Sequence, residues 1–144
     1  MLRRFDPSDA DVVSSRWRLP VREAEKLIDR WNTCLFNGRY FEMYAIEKDG
    51  YVVGTLSLYE HSRSIISIGI EIFEDFRQRG LAKSALQEAM SIAKEKAYSL
   101  VVQQVRTDNI ASMALHQSLG FEREDSVYKN QKGHDVFLYL KIIS

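Results

Sequence analysis

Cysteine is almost missing from this sequence: of 144 residues, only Cys34 carries a thiol. An intramolecular disulfide framework is excluded, and no paired Cys/His spacing suggests zinc, so no metal site is expected. Cys34 itself reads as a small buried hydrophobe. Proline is nearly as scarce, with only Pro7 and Pro20, both in the first stretch. Net charge is absent as well. Twenty Lys plus Arg balance twenty Asp plus Glu, so no whole-protein field recruits nucleic acid or an anionic membrane, and any anion site must be local. No stretch reaches the ~20 apolar residues a spanning helix needs, and "MLRRFDPSDADVV" has early charge with no apolar segment after it. The expectation is a soluble, cytoplasmic chain. There is no repeat, low-complexity tract or long Gly/Ser/Pro linker. With 45% hydrophobic residues to fill a core, one domain over 1–144 is expected.

What is present is periodic. "LRRF" reads as a short strand and "DPSDADVVSSRW" as a helix started by Asp6 with Pro7 at its first position. "LPVREAEKLIDRWNTCLF" puts Val21, Ala24, Leu27, Ile28, Trp31 and Leu35 on one face of a second helix that ends near "NGRY". "EMYAIEKDGYVVGTLSLYE" follows as two strands joined at Asp49-Gly50. In "SIISIGIEIF", Ile66, Ile68, Ile70 and Ile72 share one side, and Ser67, Gly69, Glu71 and Phe73 the other. A long helix then carries Leu81, Ala85, Leu86, Ala89, Met90, Ala93 and Ala97 inward. "SLVVQQV" can return parallel to "IGIEIF", which makes a βαβ unit. "NIASMALHQSL" is a short helix that Asp108 or Asn109 can cap and Gly120 can end. "FEREDSVY" and "HDVFLYLKII" close the chain as antiparallel strands around Lys132-Gly133. The class is α/β, a mixed sheet of about seven strands with helices on its faces.

The chemistry concentrates in "RQRGLA". A strand that turns directly into a helix leaves the first helical N–H groups unpartnered at the positive end of the dipole, where phosphate fits. Gly80 lets backbone approach closely, Ala82 keeps the next position small, and Arg77 and Arg79 add charge. A diphosphate suits several amides plus two guanidiniums; the alternative is a merely solvated basic turn. Neither G-x-x-x-x-G-K-[ST] nor G-x-G-x-x-G is present.

"RQRGLA" resembles the R/Q-x-x-G-x-G/A pyrophosphate motif of the GNAT superfamily of N-acetyltransferases, with Ala82 where the last glycine often stands. "NIASMALHQSLGF" resembles the second signature of that family, at the family's separation of one helix and one strand. The resemblance implies a mostly antiparallel sheet of about seven strands, split in a V between the fourth and fifth, with four flanking helices. It implies acetyl-CoA as cosubstrate, with its pyrophosphate on the amides of Gln78, Arg79, Gly80, Leu81 and Ala82. The pantetheine arm would pair with Ile70 and Ile72 and touch Asn109. Two departures are evident: Glu74 replaces a frequent proline, and His116 stands where many members have the tyrosine that protonates the departing thiolate.

An amine attacking a thioester must be neutral, and the thiolate needs a proton or a donor. Glu71, on the strand beside the acetyl group, is the candidate base, or else a surface or ion-paired carboxylate. His116 titrates near neutrality and is one candidate acid. Ser112, in "NxxS", is the other, matching a pattern in members that acetylate ribosomal-protein N-termini; both residues have plain packing roles as alternatives. Direct attack in a ternary complex is expected, with no Ser or Cys nucleophile motif. The acceptor is a primary amine of a small molecule, a protein N-terminus or a lysine. Arg16 and Arg18 on one side, and Glu42, Glu60 and Glu71 on the other, give conflicting signs for it, and Trp17 reads as a substrate-facing wall or a side chain packed at a loop edge. The rival reading is a catalytically silent CoA or acyl-CoA sensor. "VFLYLKII", apolar on both faces, suits either a homodimer edge or a central strand.

Overall fold

Asp6 opens the helical part of the chain. Its carboxylate accepts from Ser8 N–H while Asp9 accepts from the Asp6 N–H, a reciprocal cap with Pro7 at the first position. The computed structural model describes residues 1–144. β1 (Leu2–Arg4) leads through a 3-10 turn at Pro7–Asp9 into α1 (Ala10–Trp17) and α2 (Val21–Trp31). Then come β2 (Leu35–Phe36), β3 (Arg39–Lys48), β4 (Tyr51–Glu60) and β5 (Ile65–Ile72). After a second 3-10 turn at Glu74–Phe76, α3 (Leu81–Glu95), β6 (Leu100–Arg106), α4 (Ile110–Ser118), β7 (Glu122–Lys129) and β8 (Asp135–Ile142) complete it.

The sheet has eight strands, ordered β1-β3-β4-β5-β6-β8-β7, with β2 attached to β3. Every pairing is antiparallel except β5 with β6, which α3 connects. One face packs under α3, where Ala85, Leu86, Ala89, Met90 and Ala93 bury themselves against Leu56, Leu58, Ile66 and Ile68. Each fully buried leucine or isoleucine there contributes roughly 1.5–3 kcal/mol. The other face holds α1 and α2 through Phe5, Val13, Ala24, Ile28 and Ala45. No helix is long and apolar enough to cross a membrane.

Two sequence expectations are corrected, and one left open is decided. α2 stops at Trp31, not near residue 37, because Cys34 turns left-handed (φ 56°) and Leu35 enters an extra two-residue strand, where it is 62% exposed. The turn of that small hairpin is Asn37-Gly38, both at positive φ. The sheet therefore has eight strands, and the parallel pair counted as fourth and fifth is β5 and β6. Ala97 is exposed and does not extend the apolar face of α3: it sits at φ 70° and ends the helix, with its own N–H on Lys94 C=O and the Tyr98 N–H on Ala93 C=O. β8 lies between β6 and β7, so its two apolar faces mark an interior strand and not the sheet edge.

Candidate active site

The site begins where the sheet comes apart. β5 and β6 share only two parallel rungs, Ile65 with Leu100 and Ile66 with Val101. Main-chain groups alternate along a strand. The Phe73 N–H donates to Val53 C=O on the β4 side (2.9 Å), so the groups of Ile68, Ile70 and Ile72 face β6. Just past the last rung, the Ser67 hydroxyl donates to Val102 C=O across the gap. One step further the strands are too far apart to pair, and the side chain of Gln103 spans them. Ile68 N–H donates to Gln103 Oε1 (2.7 Å) and Gln103 Nε2 donates to Ile68 C=O (2.8 Å). Beyond this bridge Ile70 faces an open gap. At Ile72 only the N–H remains available, because Arg77 Nε donates to the carbonyl (2.9 Å).

The wide end of the gap leads to the start of α3. Gln78 (φ 64°) and Gly80 (φ 74°) are both left-handed, and no side chain caps the helix. The first amides of α3, at Leu81 and Ala82, are therefore open to an anion at the positive helix end. A Cβ at Gly80 would meet nothing within 4 Å, so what the position demands is its backbone conformation. Arg79 is exposed, its guanidinium carbon 5.7 Å from the centre of the Phe76 ring, whereas Arg77 is held against the end of β5. Arg16 is not free to meet an acceptor. It forms a two-point ion pair with Asp75 (2.9 and 3.0 Å) and stacks 4.2 Å from the centre of the Phe73 ring, which ties α1 to the loop before α3. Trp17 packs edge-on against both Trp31 and Phe73.

α4 supplies the third wall. Asn109 caps it by accepting from Ser112 N–H (3.0 Å), which commits the carbonyl end of that amide. Ser112 and His116 lie one turn apart and both line the gap. His116 is 4% exposed and packs against Phe121 and Tyr139. Its Nδ1 lies 2.7 Å from the Ser112 carbonyl, which takes a proton from it, and Nε2 faces Gln103 Nε2 at 3.5 Å. Burial is the larger influence on this imidazole and holds its pKa below the ordinary value against the opposing pull of the Ser112 carbonyl. The ring is thus neutral at pH 7, with its one proton committed to the helix backbone. Glu71 is exposed, in register with Thr55 on β4, and does not line the gap.

β5, β6 and α4 bound a cleft of about 670 Å³. On the face opposite the isoleucines it is bounded by Phe41, Ser57, Tyr59 and His61, and no Asp, Glu, Lys or Arg lines it. The Phe41, Tyr59 and His61 rings form a continuous wall, at 6.4 Å and 5.1 Å between neighbouring centres. Sequence reasoning missed Gln103, His61 and Ser67. Gln103 had a signal, since it occupies the inward position between Val101 and Val105, where an apolar side chain is the rule. Ser67 already stood on the face opposite the isoleucines. His61 follows β4 in a turn, and nothing in the sequence brings it to the cleft.

Comparison with known proteins agrees with this fold. The family model described as an acetyltransferase (GNAT) domain matches residues 1–122. The chain is 26% identical over 128 residues to the SPbeta prophage-derived uncharacterized N-acetyltransferase YokL of Bacillus subtilis, covering 87% of this chain and 72% of that protein. It is 24% identical over 105 residues to N-alpha-acetyltransferase 30 of Schizosaccharomyces pombe, covering 69% and 70%. Among solved structures, Mycobacterium smegmatis RimJ in complex with CoA-disulfide has a TM-score of 0.83 at 20% identity, covering 98% of this chain and 80% of that one.

Proposed function

The chain belongs to the GNAT acetyltransferase family, and on that premise we propose that it moves the acetyl group of acetyl-CoA to the α-amine of a peptide or protein N-terminus. The observation that carries the acceptor is the lack of any ionised side chain in the cleft walls. An attacking amine must enter or become neutral. An α-amine, with a reference pKa of about 7.7–8.0, gives up its proton near pH 7.4 at a cost under about 1 kcal/mol. A lysine amine near ~10.4 costs roughly 4 kcal/mol, and no carboxylate in the cleft offsets the difference. A polyamine needs partners for its further cationic centres, which the cleft also lacks. The N-alpha specificity in the name of the fission-yeast relative agrees with this reading.

The donor lies along the split. Its diphosphate takes the amides of Gln78, Arg79, Gly80, Leu81 and Ala82 with the charges of Arg77 and Arg79, and its arm takes the strand place beside Ile70 and the Ile72 N–H. The free end of the Asn109 amide meets the arm. The neutral amine attacks the thioester directly in a ternary complex, since Cys34 does not line the cleft. Ser112 is the better placed donor to the departing thiolate: its hydroxyl lines the cleft, while the proton on His116 is held by the helix. His116 positions Gln103 and Ser112. Glu71, exposed on β5 and outside the cleft lining, helps to shed the proton to solvent. Residues 1–144 act as one domain.

The test is acetyl transfer to three acceptors of equal concentration: a peptide with a free N-terminus and no lysine, an Nα-blocked lysine peptide, and spermidine. Transfer to the first alone supports the reading. Equal transfer to lysine or spermidine overturns the acceptor assignment, and stabilisation by acetyl-CoA with no transfer to any amine returns the sensor reading.

A further inference from the structure

His61 and Ser67 stand at the closed end of the split, and the mechanism above has no use for them. The Ser67 hydroxyl gives its proton to Val102 C=O, which leaves an oxygen lone pair facing His61 Nε2 at 2.7 Å. Nε2 must therefore carry the ring proton and donate it, and Nδ1 is left with a free lone pair. A donor held at the start of α3 and running along β5 brings its reactive end up to the Gln103–Ile68 bridge, where Ile70, Ile68, Ser67 and His61 line one cleft. From Ile72 to Ile68 is four residues, roughly 13 Å of strand, and Ser67 is the next residue. His61 lines the same cleft from the face that Phe41, Ser57 and Tyr59 bound.

We propose that His61 accepts the proton of the acceptor amine at Nδ1, with Ser67 and the Val102 carbonyl holding the ring in the tautomer that can do so. This rests on the α-amine reading above. The amine nitrogen bonds to the thioester carbon, the carbon–sulfur bond breaks, and the electron pair leaves with sulfur. The proton shed by nitrogen passes to Nδ1, giving an imidazolium that keeps its Nε2–H on Ser67, and the thiolate is protonated from Ser112 or water. His61 is exposed enough to return its proton to solvent.

The surroundings suit a base that must be neutral at pH 7. Partial desolvation, and then the Arg39 charge, hold the pKa of the ring below its ordinary value. Arg39 on β3 donates to the His61 carbonyl (2.7 Å), Tyr59 on β4 presents a ring 5.1 Å away, and the partners on β5 and β6, Ser67 and Val102, do not titrate. No carboxylate lines the cleft to raise the pKa.

The experiment is the pH profile of kcat/KM with the free-N-terminal peptide, for wild type and His61→Gln. Below the pKa of both base and amine, the logarithm of kcat/KM should fall with a slope of about two, and His61→Gln should leave about one. Activity should drop at least about tenfold, with stabilisation by acetyl-CoA unchanged. His61→Ala provides a second variant, and added imidazole should restore part of its activity. Ser67→Ala should move the limb without removing it, and Ser67→Thr should bring it back. A folded His61→Gln protein that keeps the steep limb, or a weakened His61→Ala protein that ignores imidazole, overturns the proposal. Loss of the acceptor reading looks different: wild type itself would then transfer to lysine or spermidine.

Discussion

Gln103 and Ile68 are joined by two hydrogen bonds, one in each direction, in which a side-chain amide stands in for a missing stretch of strand. Both residues are buried, so neither main-chain group of Ile68 has water to fall back on. Gln103→Leu should cost about 2–4 kcal/mol, because it leaves an N–H and a C=O unsatisfied in the core. Urea unfolding measures this directly, and a loss under about 0.5 kcal/mol would mean that the split reseals by other means.

Gly80→Glu separates folding from cofactor binding. The position is exposed with open space around it, so the backbone conformation alone costs roughly 1–2 kcal/mol. The added carboxylate, however, would lie at the proposed diphosphate site. Wild type at ~100 times the dissociation constant of acetyl-CoA should gain about 2.7 kcal/mol; the variant should gain nothing. Thermal unfolding with and without acetyl-CoA decides, and an equal gain in both would remove the anion site from this turn.

Ser112→Ala tests the proposed donor to the thiolate. We expect kcat to fall at least about tenfold with the affinity for acetyl-CoA preserved, since general-acid roles are typically worth 10²–10⁴. Full activity would pass the role to water.

His116 makes stability depend on pH, with a definite sign. Folding lowers its pKa, chiefly by burial, so between the folded value and the unfolded value near ~6.5 the unfolded chain holds more protons. Stability is then complete above about pH 6.5 and falls as the pH drops through that window. His61 shifts in the same direction. His116→Gln should flatten part of the decline between pH 7.5 and 5.5 in urea titrations, and an identical decline would assign it to other groups.

Gly54→Ala probes the seam of β4 and β5. A Cβ there would lie 2.2 Å from the Glu71 carbonyl oxygen, a backbone atom that cannot swing aside. Unfolding free energy should drop by about 2–4 kcal/mol, and a variant within 0.5 kcal/mol of wild type would show that β5 shifts freely.

What could be read from the sequence follows the strength of local signals. The isoleucine alternation placed β5, and the Ala/Leu pattern after Gly80 placed α3, because each rests on one buried face repeated several times. β2 escaped although Asn37-Gly38 is a hairpin dipeptide, since two residues make no period and the helical pattern ran on through Leu35. In the site, the open amides of α3 were legible because a strand, a basic turn and a helix are consecutive in the chain. The Gln103 bridge and the His61–Ser67 contact were not, because they join residues whose neighbourhood exists only after β5 and β6 have paired and parted.

The two-rung pairing of β5 and β6 has a consequence for self-association. A strand with unpaired main-chain groups normally invites a neighbouring chain to add on and polymerise. Here the exposed rim of β5 is recessed inside the sheet, between Gln103 at one end and the uncapped start of α3 at the other. A second protein strand would have to bring its side chains into the gap between β5 and β6. A slim, side-chain-free ligand meets no such obstacle, so the recess proposed to take the pantetheine arm is one that disfavours pairing of a second copy along β5.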